Sequence, residues 1–418
     1  MVETQPVQDV NWLQHPVGHG GFHTGRLQFF RGPKLNWIFD CGSRRTKKFD
    51  EYLRSWITLG NEEVDWLFIS HFDTDHVSGL EVLMANAVVK NVMVPYVNER
   101  ELLGQLLQII DGGDTSRYIF DLAADPGGYF LSRGAQRVIF VGGGGDDRIL
   151  IETGDPSSPD GSGDGMKECR ILIRPAPRSL NSGQIVGAAP NAKVELSEQG
   201  CEIEIHSLGR QFLFKPFRAP LDQSDDDSLL VAIQNLVGDA SLQNGRPGLG
   251  DLAYAVARFS RTAAGRAKLR QVYKLHVGSS NRSSLSLLSM PLPKDAAQSY
   301  FEVESPSKTS MSWSVPAWLN TGDAELKATQ DLQSWRAHYS AELGHVRVLA
   351  LPHHGSDHNS DQALHDLCPR AILAAHVKSD ATKHPGVDTM LTAGERLVRV
   401  TEQAGHYIRM HFQQREDI

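Results

Sequence analysis

Cysteine is scarce in this chain, and long apolar runs are missing from it. Four of the 418 residues are cysteines, and no two of them form a CxxC pair. We therefore expect neither a disulfide framework nor a zinc site built of cysteines alone, because the pattern fits free thiols in a reducing compartment. No run approaches the roughly 18 apolar residues of a membrane-spanning helix, and the first ten residues lack the features of a secretory signal. These absences predict a cytoplasmic protein.

An excess of positive charge is also lacking. The chain has 42 Lys and Arg residues against 50 Asp and Glu residues, and its formal net charge is -8 at pH 7. A protein that coats DNA needs a positive surface for the phosphates, so this balance argues against generic nucleic-acid coating. It leaves room for a local basic groove or for metal ions in a site.

Strand and helix patterns alternate near both ends of the chain. Apolar strand candidates such as Val64–Ser70 and Val346–Ala350 alternate with helix candidates such as Lys47–Thr58, where apolar residues share one face. This alternation predicts a layered α/β protein.

A change in composition divides the two halves of this pattern. The stretch at 142–166 is rich in Gly, Asp, Ser and Pro, which is typical of a loop or linker. The simplest organisation is therefore one core formed by 1–130 and 281–418, with 131–280 as an insertion that faces the substrate.

Ligand-type side chains crowd the end of the first of these strands. The residues from 70 to 80 read SHFDTDHVSGL and include His71, Asp73, Asp75 and His76. Side chains at a strand end point into a cleft from a rigid base, and imidazole with carboxylate suits zinc, manganese or iron. The alternative is a polar loop that caps a helix. We favour a metal site, because a cap needs one such residue rather than four.

Later motifs repeat this arrangement of polar side chains after an apolar strand. They are Asp323 in NTGD, His353, His354 and Ser356 in PHHGSDH, His376 at a strand end, and His384 in KHPG. Alone, each has an ordinary explanation, such as turn chemistry or solvated histidines. Together with the first motif they indicate one site assembled from distant segments.

The motifs resemble, in kind and in order, those of the metallo-β-lactamase fold superfamily. HFDTDH is similar to the HxHxDH signature, with Asp73 in place of the second histidine. Asp40-Cys41-Gly42-Ser43 resembles the early Asp-x-Gly, and Gly18-His19-Gly20-Gly21 resembles the first Gly-rich hairpin. The HxDxDH variant, followed by an Asn-x-x-Ser-Leu segment at Asn281, TGD, PHHGS and a late HP, resembles the hydrolase domain of ComEC-type competence proteins.

This resemblance implies a four-layer αββα sandwich with a large insertion, and a site for two divalent metal ions, zinc or manganese. His71 and Asp73 would hold one ion, Asp75 and His76 the other, and Asp323 would bridge them. A carboxylate at position 73 tilts the first site towards manganese. The full set of implied ligands is His71, Asp73, Asp75, His76, Asp323, His353 and His384.

The chemistry that such a site favours is phosphodiester hydrolysis. Two adjacent metals generate hydroxide from a shared water at neutral pH and neutralise charge on a phosphoryl group. We expect Asp75 to orient the hydroxide, His354 or His384 to protonate the leaving oxygen, and Ser356 to contact the phosphate. The alternatives are a hydrolase of a small substrate, such as a lactone, thioester or cyclic nucleotide, and a regulatory module that keeps the fold without turnover.

A basic stripe within the predicted insertion bears on the substrate. Arg266, Arg270 and Lys274 fall at i, i+4 and i+8, on one helical face, and 258–274 holds no acidic residue. The stripe predicts contact with the phosphates of a nucleic acid or another phosphodiester; the alternative is a solvated helix face. No membrane contact is expected, and nothing in the sequence identifies a protein partner.

Overall fold

The structure is a computed structural model. It describes residues 6–30, 32–111, 116–142, 169–174, 178–180, 192–197, 201–207, 210–220, 228–237, 249–276, 283–293, 299–307, 309–327 and 329–415. Nearly all of the predicted linker and the predicted motif residue Asn281 lie outside these ranges.

Strands make up much of the described chain. They are β1 (Pro6–Gln14), β2 (Phe22–Phe29), β3 (Lys34–Cys41), β4 (Glu63–Phe68), β5 (Val88–Pro95), β6 (Arg137–Val141), β7 (Cys169–Arg174), β8 (Arg178–Leu180), β9 (Lys193–Ser197), β10 (Glu202–Ser207), β11 (Arg210–Phe217), β12 (Ser286–Leu292), β13 (Ser299–Glu304), β14 (Thr309–Ser312), β15 (Ala317–Asn320), β16 (Val346–Ala350), β17 (Ile372–His376), β18 (Leu397–Val400) and β19 (Ile408–Arg415).

Helices connect many of these strands. They are α1 (Thr46–Thr58), α2 (Thr74–Val77), α3 (Leu80–Asn86), α4 (Glu99–Asp111), α5 (Arg117–Ala124), α6 (Pro126–Leu131), α7 (Ser228–Val237), α8 (Leu249–Phe259), α9 (Ala263–His276), α10 (Thr329–His338), α11 (Gln362–Leu367) and α12 (Val387–Ala393). Three short 3₁₀ turns cover Leu343–His345, Pro352–Gly355 and Gly394–Arg396.

The described strands form two large mixed sheets. The order in the first is β14-β13-β19-β1-β2-β3-β4-β5-β6-β9-β8, and in the second β18-β17-β16-β15-β12-β11-β10-β7. The run from β3 to β9 in the first sheet is parallel, as is the run from β15 to β18 in the second. The α/β class predicted from the sequence is confirmed, and two large sheets with helices are consistent with a metallo-β-lactamase-like fold.

Alternating side chains of the strands enter different apolar clusters. In β3, Trp37 packs among residues of both sheets, and its ring centroid lies 5.1 Å from that of Phe214 in β11. Its neighbour Ile38 points to the other face and packs with Phe49, Leu53 and Ile57 of α1. Those α1 residues repeat every four positions, which is why the segment forms an amphipathic helix as predicted.

A third cluster lies on the second sheet, among the helices near the end of the chain. It includes Leu319 and Leu349 of the strands, Trp335 of α10 and Leu364 of α11. Burying an aromatic or aliphatic side chain of this size stabilises the fold by about 1.5–3 kcal/mol, so both sheets are anchored to helices by apolar packing.

Part of the segment 131–280 lies within the two sheets. β6, β8 and β9 belong to the first sheet, and β7, β10 and β11 belong to the second. The helices α7, α8 and α9 pack instead against one another and against α4 and α5. The division at 131 and 280 stays a prediction, since sheet membership alone does not delimit a domain.

The two ends of the described chain meet in the first sheet. β1 lies between β2 and β19 and is antiparallel to both. Asp9 in β1 accepts a hydrogen bond from His411 in β19 at 2.8 Å, although the two residues are 402 positions apart. β1 and β19 are therefore paired neighbours in the first sheet, although they lie at opposite ends of the described chain.

Three buried cysteines have free thiols, namely Cys41, Cys201 and Cys368. None of the helices in the described ranges combines the length and the apolar character that crossing a membrane requires.

The sites of interest lie where strands end. The 71–76 motif follows β4, Asp323 follows β15, the His353–His354 pair follows β16, and His384 follows β17. The two sheets are tied together there, because the Leu285 amide before β12 donates to the Ser70 carbonyl after β4 at 2.8 Å. Within the second sheet, the Thr321 hydroxyl after β15 donates to the Ala350 carbonyl of β16 at 2.6 Å.

Candidate metal centre

Histidine and aspartate side chains from four distant segments meet in two groups. In the first group, the ligand atoms of His71, His76 and Asp323 all lie within 4.8 Å of one another. In the second group, the same holds for His19, Asp75 and His354. All six residues are buried, and the described part of the chain holds no third group of this kind.

The Asp323 carboxylate is the centre of the first group. Its Oδ2 lies 3.6 Å from His71 Nε2 and its Oδ1 lies 3.4 Å from His76 Nε2. His353 Nε2 approaches the same carboxylate at 3.8 Å, and Asp73 Oδ2 lies 3.6 Å from His71 Nε2. Asp73 and His353 therefore flank the first group on either side.

The Asp75 carboxylate is the centre of the second group. Its Oδ2 lies 3.4 Å from His354 Nε2 and 3.6 Å from His19 Nε2. Arg44 Nε donates to the same oxygen at 3.1 Å. The rings of His76 and His354 have centroids 5.6 Å apart, so the two groups adjoin.

The backbone at the site is held in unusual conformations. Asp40, His353 and His354 have positive φ angles of 58°, 47° and 57°, in the left-handed region that side chains rarely adopt. Residues in such conformations persist only where the surrounding structure fixes them, and they cluster at functional sites. The backbone of the turn at His353 and His354 is therefore locally unfavourable, and the surrounding structure holds it there and so fixes where the two side chains lie.

The Asp40 carboxylate fixes the orientation of the His76 ring in the first group. It accepts hydrogen bonds from the Ser70 amide and hydroxyl, both at 2.7 Å, and its Oδ2 lies 2.7 Å from His76 Nδ1. A carboxylate on the second nitrogen of a histidine sets its tautomer and leaves Nε2 free as a ligand. Asp40 therefore turns His76 Nε2 towards Asp323.

Serine and asparagine side chains hold Asp323 in place. Ser284 Oγ accepts from the Asp323 amide at 2.9 Å and lies 3.5 Å from His71 Nδ1. Asn359 donates to the Asp323 carbonyl at 3.0 Å, and its Oδ1 lies 3.2 Å from His353 Nδ1. The segment that begins at Asn281 therefore contributes support for the carboxylate through Ser284.

In the first group, the negative charge of the carboxylates and the positive charge of the imidazoles compensate each other. Burial raises the pKa of Asp323, but His353, His76 and His71 outweigh it and hold that pKa well below its usual range. Burial lowers the pKa of His76, but the carboxylates of Asp40 and Asp323 outweigh it and hold that pKa well above its usual range. The first group is thus a carboxylate paired with imidazolium.

The second group contains neutral imidazole. Burial lowers the pKa of His19, and His354 lowers it further. Burial also lowers the pKa of His354, although the nearby Asp75 carboxylate raises it. Burial raises the pKa of Asp75, yet His354, His76 and Arg44 outweigh it and hold that pKa well below its usual range.

The residues present fit a metal centre. His19 Nε2, His71 Nε2, His76 Nε2, His354 Nε2 and Asp323 Oδ1 are buried, and none has a hydrogen-bond partner among the described residues. Buried polar atoms in proteins are almost always paired, and imidazole nitrogen with carboxylate oxygen is the donor set of zinc and manganese. These atoms converge within each group as ligands of an ion would.

The predicted ligands are grouped differently from the arrangement that the resemblance implied. Asp75 and His76 fall in separate groups, and His76 joins His71 instead. His384 belongs to neither group; its ring stacks on that of His353 with centroids 5.5 Å apart. Ligation by every predicted residue stays a prediction, and Asp73, His353 and His384 lie outside the two groups.

The other predicted site residues lie further from the carboxylates. Ser356 is buried, and its hydroxyl accepts from the His358 amide at 3.2 Å within the turn. His376 lines an enclosed space of about 20 Å³ behind the site, together with His23. Arg266 of the basic stripe donates to the Ser260 and Arg261 carbonyls at the end of α8, whereas Arg270 and Lys274 are exposed.

His19 is a candidate ligand that sequence reasoning did not assign. Its sequence signal was a histidine among glycines at 18–21, which carried only a loose resemblance. The glycines allow close packing: a Cβ at Gly20 would lie 2.5 Å from the Gly42 carbonyl, and one at Gly21 would lie 2.6 Å from Asp40 Cβ. This packing brings the His19 loop against the strand end.

Helices α4 and α9 support Asp73 from the side of the segment 131–280. Gln108 in α4 donates to Asp73 Oδ2, and Tyr273 in α9 donates to Gln108 Oε1 at 3.0 Å. The helix that carries the basic stripe is thus connected to a flanking carboxylate of the first group.

Comparison with known proteins gives a match for one part of the chain. The family model of the metallo-beta-lactamase superfamily matches residues 29–102. The matched stretch includes Asp40 and the 71–76 motif. No curated protein matches the chain. The match, with two His/Asp groups able to bind metal, indicates a metal-dependent hydrolase.

Gly42 provides a test of the site's packing. An alanine Cβ there would lie 2.6 Å from the carbonyl carbon and oxygen of Asp75, which is too close for backbone atoms. We expect Gly42→Ala to displace the 73–77 turn, lower metal content, and destabilise the protein by about 1–3 kcal/mol, as overpacking does. Elemental analysis and thermal unfolding measure both effects. Gly344→Ala is the matched control, since nothing lies within 4 Å of its Cβ; equal metal content in the two variants would contradict the prediction.

Metal uptake should release protons. The pKa of His76 is held above its usual range, so this residue is protonated at neutral pH in the metal-free protein, and a ligand nitrogen must lose that proton. We expect at least about one proton released per chain at pH 7, fewer as pH rises through the pKa of His76, and tighter binding at pH 8 than at pH 6. Calorimetry in buffers of different ionisation enthalpy measures the number, and a heat independent of buffer would contradict the prediction.

Proposed function

We propose that this protein is a hydrolase that uses two divalent metal ions, zinc or manganese, to cleave phosphodiester bonds. The observation that carries the proposal is the pair of adjoining His/Asp groups, each built around one buried carboxylate. Two ions a few ångströms apart suit in-line attack at phosphorus, because both the attacking and the leaving oxygen then face a positive charge.

The residues divide the work in this proposal. His71, His76 and Asp323 hold one ion, and His19, Asp75 and His354 hold the other; Asp73 and His353 adjoin the first. When bound, two such ions activate water and neutralise charge on the phosphoryl oxygens. Asp75 orients the attacking water through its carboxylate. His384 stands at the half-buried edge of the site, where its N–H can donate a hydrogen bond to the leaving oxygen.

The protonation state of His384 suits this role. Burial lowers its pKa to about 4, with further lowering by His354 and His353. It is therefore a neutral imidazole at pH 7, able to donate from one nitrogen and accept at the other. Its ring lies beside that of His353 and outside both groups, and its Nδ1 is buried, so we assign the substrate contact to Nε2.

The proposal extends to the finer family placement and the layer order. The HxDxDH variant, with Asp73 beside His71, supports a likeness to the hydrolase domain of ComEC-type proteins. An apolar cluster between the sheets and two further clusters beneath helices support an αββα order of layers.

Nucleic acid or another phosphodiester is the proposed substrate. Arg270 and Lys274 are exposed on α9, and the same helix reaches the site through Tyr273 and Gln108. The helices α7–α9 are accordingly proposed as the substrate-facing part of 131–280. Arg266 stays in the stripe as a proposal, although its guanidinium also caps α8.

The test compares substrate classes on one preparation. Purified protein is freed of metal, reloaded with Mn²⁺ or Zn²⁺, and assayed on single- and double-stranded DNA, RNA, bis-p-nitrophenyl phosphate, a cyclic nucleotide, a lactone and a thioester. We expect cleavage of nucleic acid and of the model phosphodiester, and no cleavage by metal-free protein. Hydrolysis of the lactone or the thioester alone would replace the proposal with a small-substrate hydrolase. Hydrolysis of the cyclic nucleotide alone would keep the reaction but replace nucleic acid with a small substrate, and no hydrolysis in any arm would favour a regulatory module.

A further inference from the structure

A guanidinium group stands at the edge of the second group. Arg44 Nε donates to Asp75 Oδ2 at 3.1 Å, and the Arg44 backbone amide donates to the His19 carbonyl at 3.0 Å. Asp75 and His19 are both members of the second group. The position of Arg44 is therefore set by the same two residues that hold the candidate ion.

The outer half of this side chain faces solvent. The Arg44 side chain is 55% exposed, whereas that of Asp75 is 8% exposed. Within the described residues, the hydrogen bonds of the Arg44 side chain involve Nε alone. The two terminal nitrogens thus have no hydrogen-bond partner within the described residues.

The adjacent arginine in the sequence behaves differently. Arg45 Nη2 pairs with Glu402 Oε1 at 2.9 Å, and neither residue belongs to the two groups. Two neighbouring arginines of equal charge therefore pair with different carboxylates: Arg44 pairs with Asp75, and Arg45 pairs with Glu402.

Two histidines share the edge of the site with Arg44. The field of Arg44 reaches the His384 ring, where it adds to the lowering of the His384 pKa that burial and the other histidines cause. His384 stacks on His353, and its ring centroid lies 5.8 Å from that of His19. The Arg44 guanidinium therefore adjoins the second group, and its charge also acts on the His384 ring.

We propose that Arg44 binds an anionic oxygen of the substrate through its terminal nitrogens and so selects phosphate-type substrates over neutral ones. The planar guanidinium matches two phosphate oxygens in a bidentate pair. Anchoring through Nε leaves that two-nitrogen edge open and removes much of the side-chain entropy that binding would otherwise cost. The inference rests on the proposed function, because it names the residue that recognises the phosphoryl group.

The experiment uses Arg44→Ala and Arg44→Lys, with Arg45→Ala as the matched control. Three readouts are taken on metal-loaded protein: metal content, binding of inorganic phosphate by calorimetry, and KM and kcat for bis-p-nitrophenyl phosphate and for the neutral ester p-nitrophenyl acetate. We expect Arg44→Ala to keep its metal, to bind phosphate about 10- to 100-fold more weakly, and to raise KM for the phosphodiester by a similar factor. Its KM for the neutral ester should stay the same, Arg44→Lys should recover part of the loss, and Arg45→Ala should match wild type.

The outcomes separate this inference from the proposed function. If wild type cleaves no phosphodiester but Arg44→Ala still loses phosphate binding, the proposed reaction fails and the anion site stands. If wild type cleaves phosphodiesters and Arg44→Ala leaves phosphate binding and KM unchanged, the reaction stands and the inference is overturned. Loss of metal in Arg44→Ala together with Arg44→Lys would also overturn it, because Arg44 would then serve only to neutralise Asp75.

Discussion

The Asp75→Asn variant should lose hydrolysis while keeping its fold. Asp75 is the only carboxylate of the second group, and it contacts both His19 and His354. An amide keeps the shape of the side chain but loses the charge that the ion and the attacking water require. We expect turnover to fall by at least about 100-fold, the lower end of what a positioned acid–base group contributes, with about one ion fewer bound per chain and substrate binding largely kept.

Three measurements check this expectation. Metal stoichiometry by elemental analysis, kcat at saturating substrate and the thermal unfolding midpoint are compared with those of wild type. Asp380→Asn is the matched control, because Asp380 is exposed and lies on the loop after β17. Full activity and full metal content in Asp75→Asn would show that the second group is not a metal site.

Asp323→Ala should produce the largest change in stability, and that change should depend on pH. In the metal-free protein the Asp323 carboxylate compensates buried imidazolium at His71 and His76. The raised pKa of His76 gives stability that is fully present below the unfolded pKa, near 6.5, and is lost as pH rises through the folded pKa. Removing Asp323 lowers that folded pKa, so the stability lost is greatest under acidic conditions.

We expect Asp323→Ala to cost about 3–5 kcal/mol at pH 5.5, the cost of breaking a buried ion pair, and less at pH 9. Denaturant unfolding in the presence of a chelator measures both values. The wild-type contribution of Asp323 itself, whose pKa is lowered, is present above about pH 4 and is lost only in stronger acid. A loss independent of pH between 5.5 and 9 would mean that His71 and His76 are neutral in the folded protein.

Local patterns in the sequence were sufficient to predict many of the elements and five of the six residues in the two groups. The strand Val346–Ala350 and the helix near Lys47–Thr58 lie where apolar periodicity predicts them. His71, Asp75, His76 and Asp323 were found because each follows an apolar strand, and parallel strands end at one edge of a sheet. These are short-range signals, and the fold brings them together as expected.

Sequence patterns did not predict the directions of adjacent side chains or the contacts between residues far apart in the chain. Asp75 and His76 are consecutive in the short helix α2, where neighbouring side chains diverge by about 100°, so they enter different groups. His19 reaches the second group because its loop packs on the end of β3, and a contact of this kind has no local sequence signal. Arg44 and Gln108 act through contacts with Asp75 and Asp73 that have no periodic signature.

The position of β1 between β2 and β19 has a consequence for biosynthesis. A chain emerging from the ribosome forms β1, β2 and β3 early, but one edge of β1 stays open until β19 has been made. An open strand edge is a template for wrong pairing with other chains. His19 likewise waits for His354, and His71 waits for Asp323. Nascent chains therefore pass through a long interval in which the two groups are incomplete, and the open edge of β1, which favours aggregation, persists longer still, until β19 has been made.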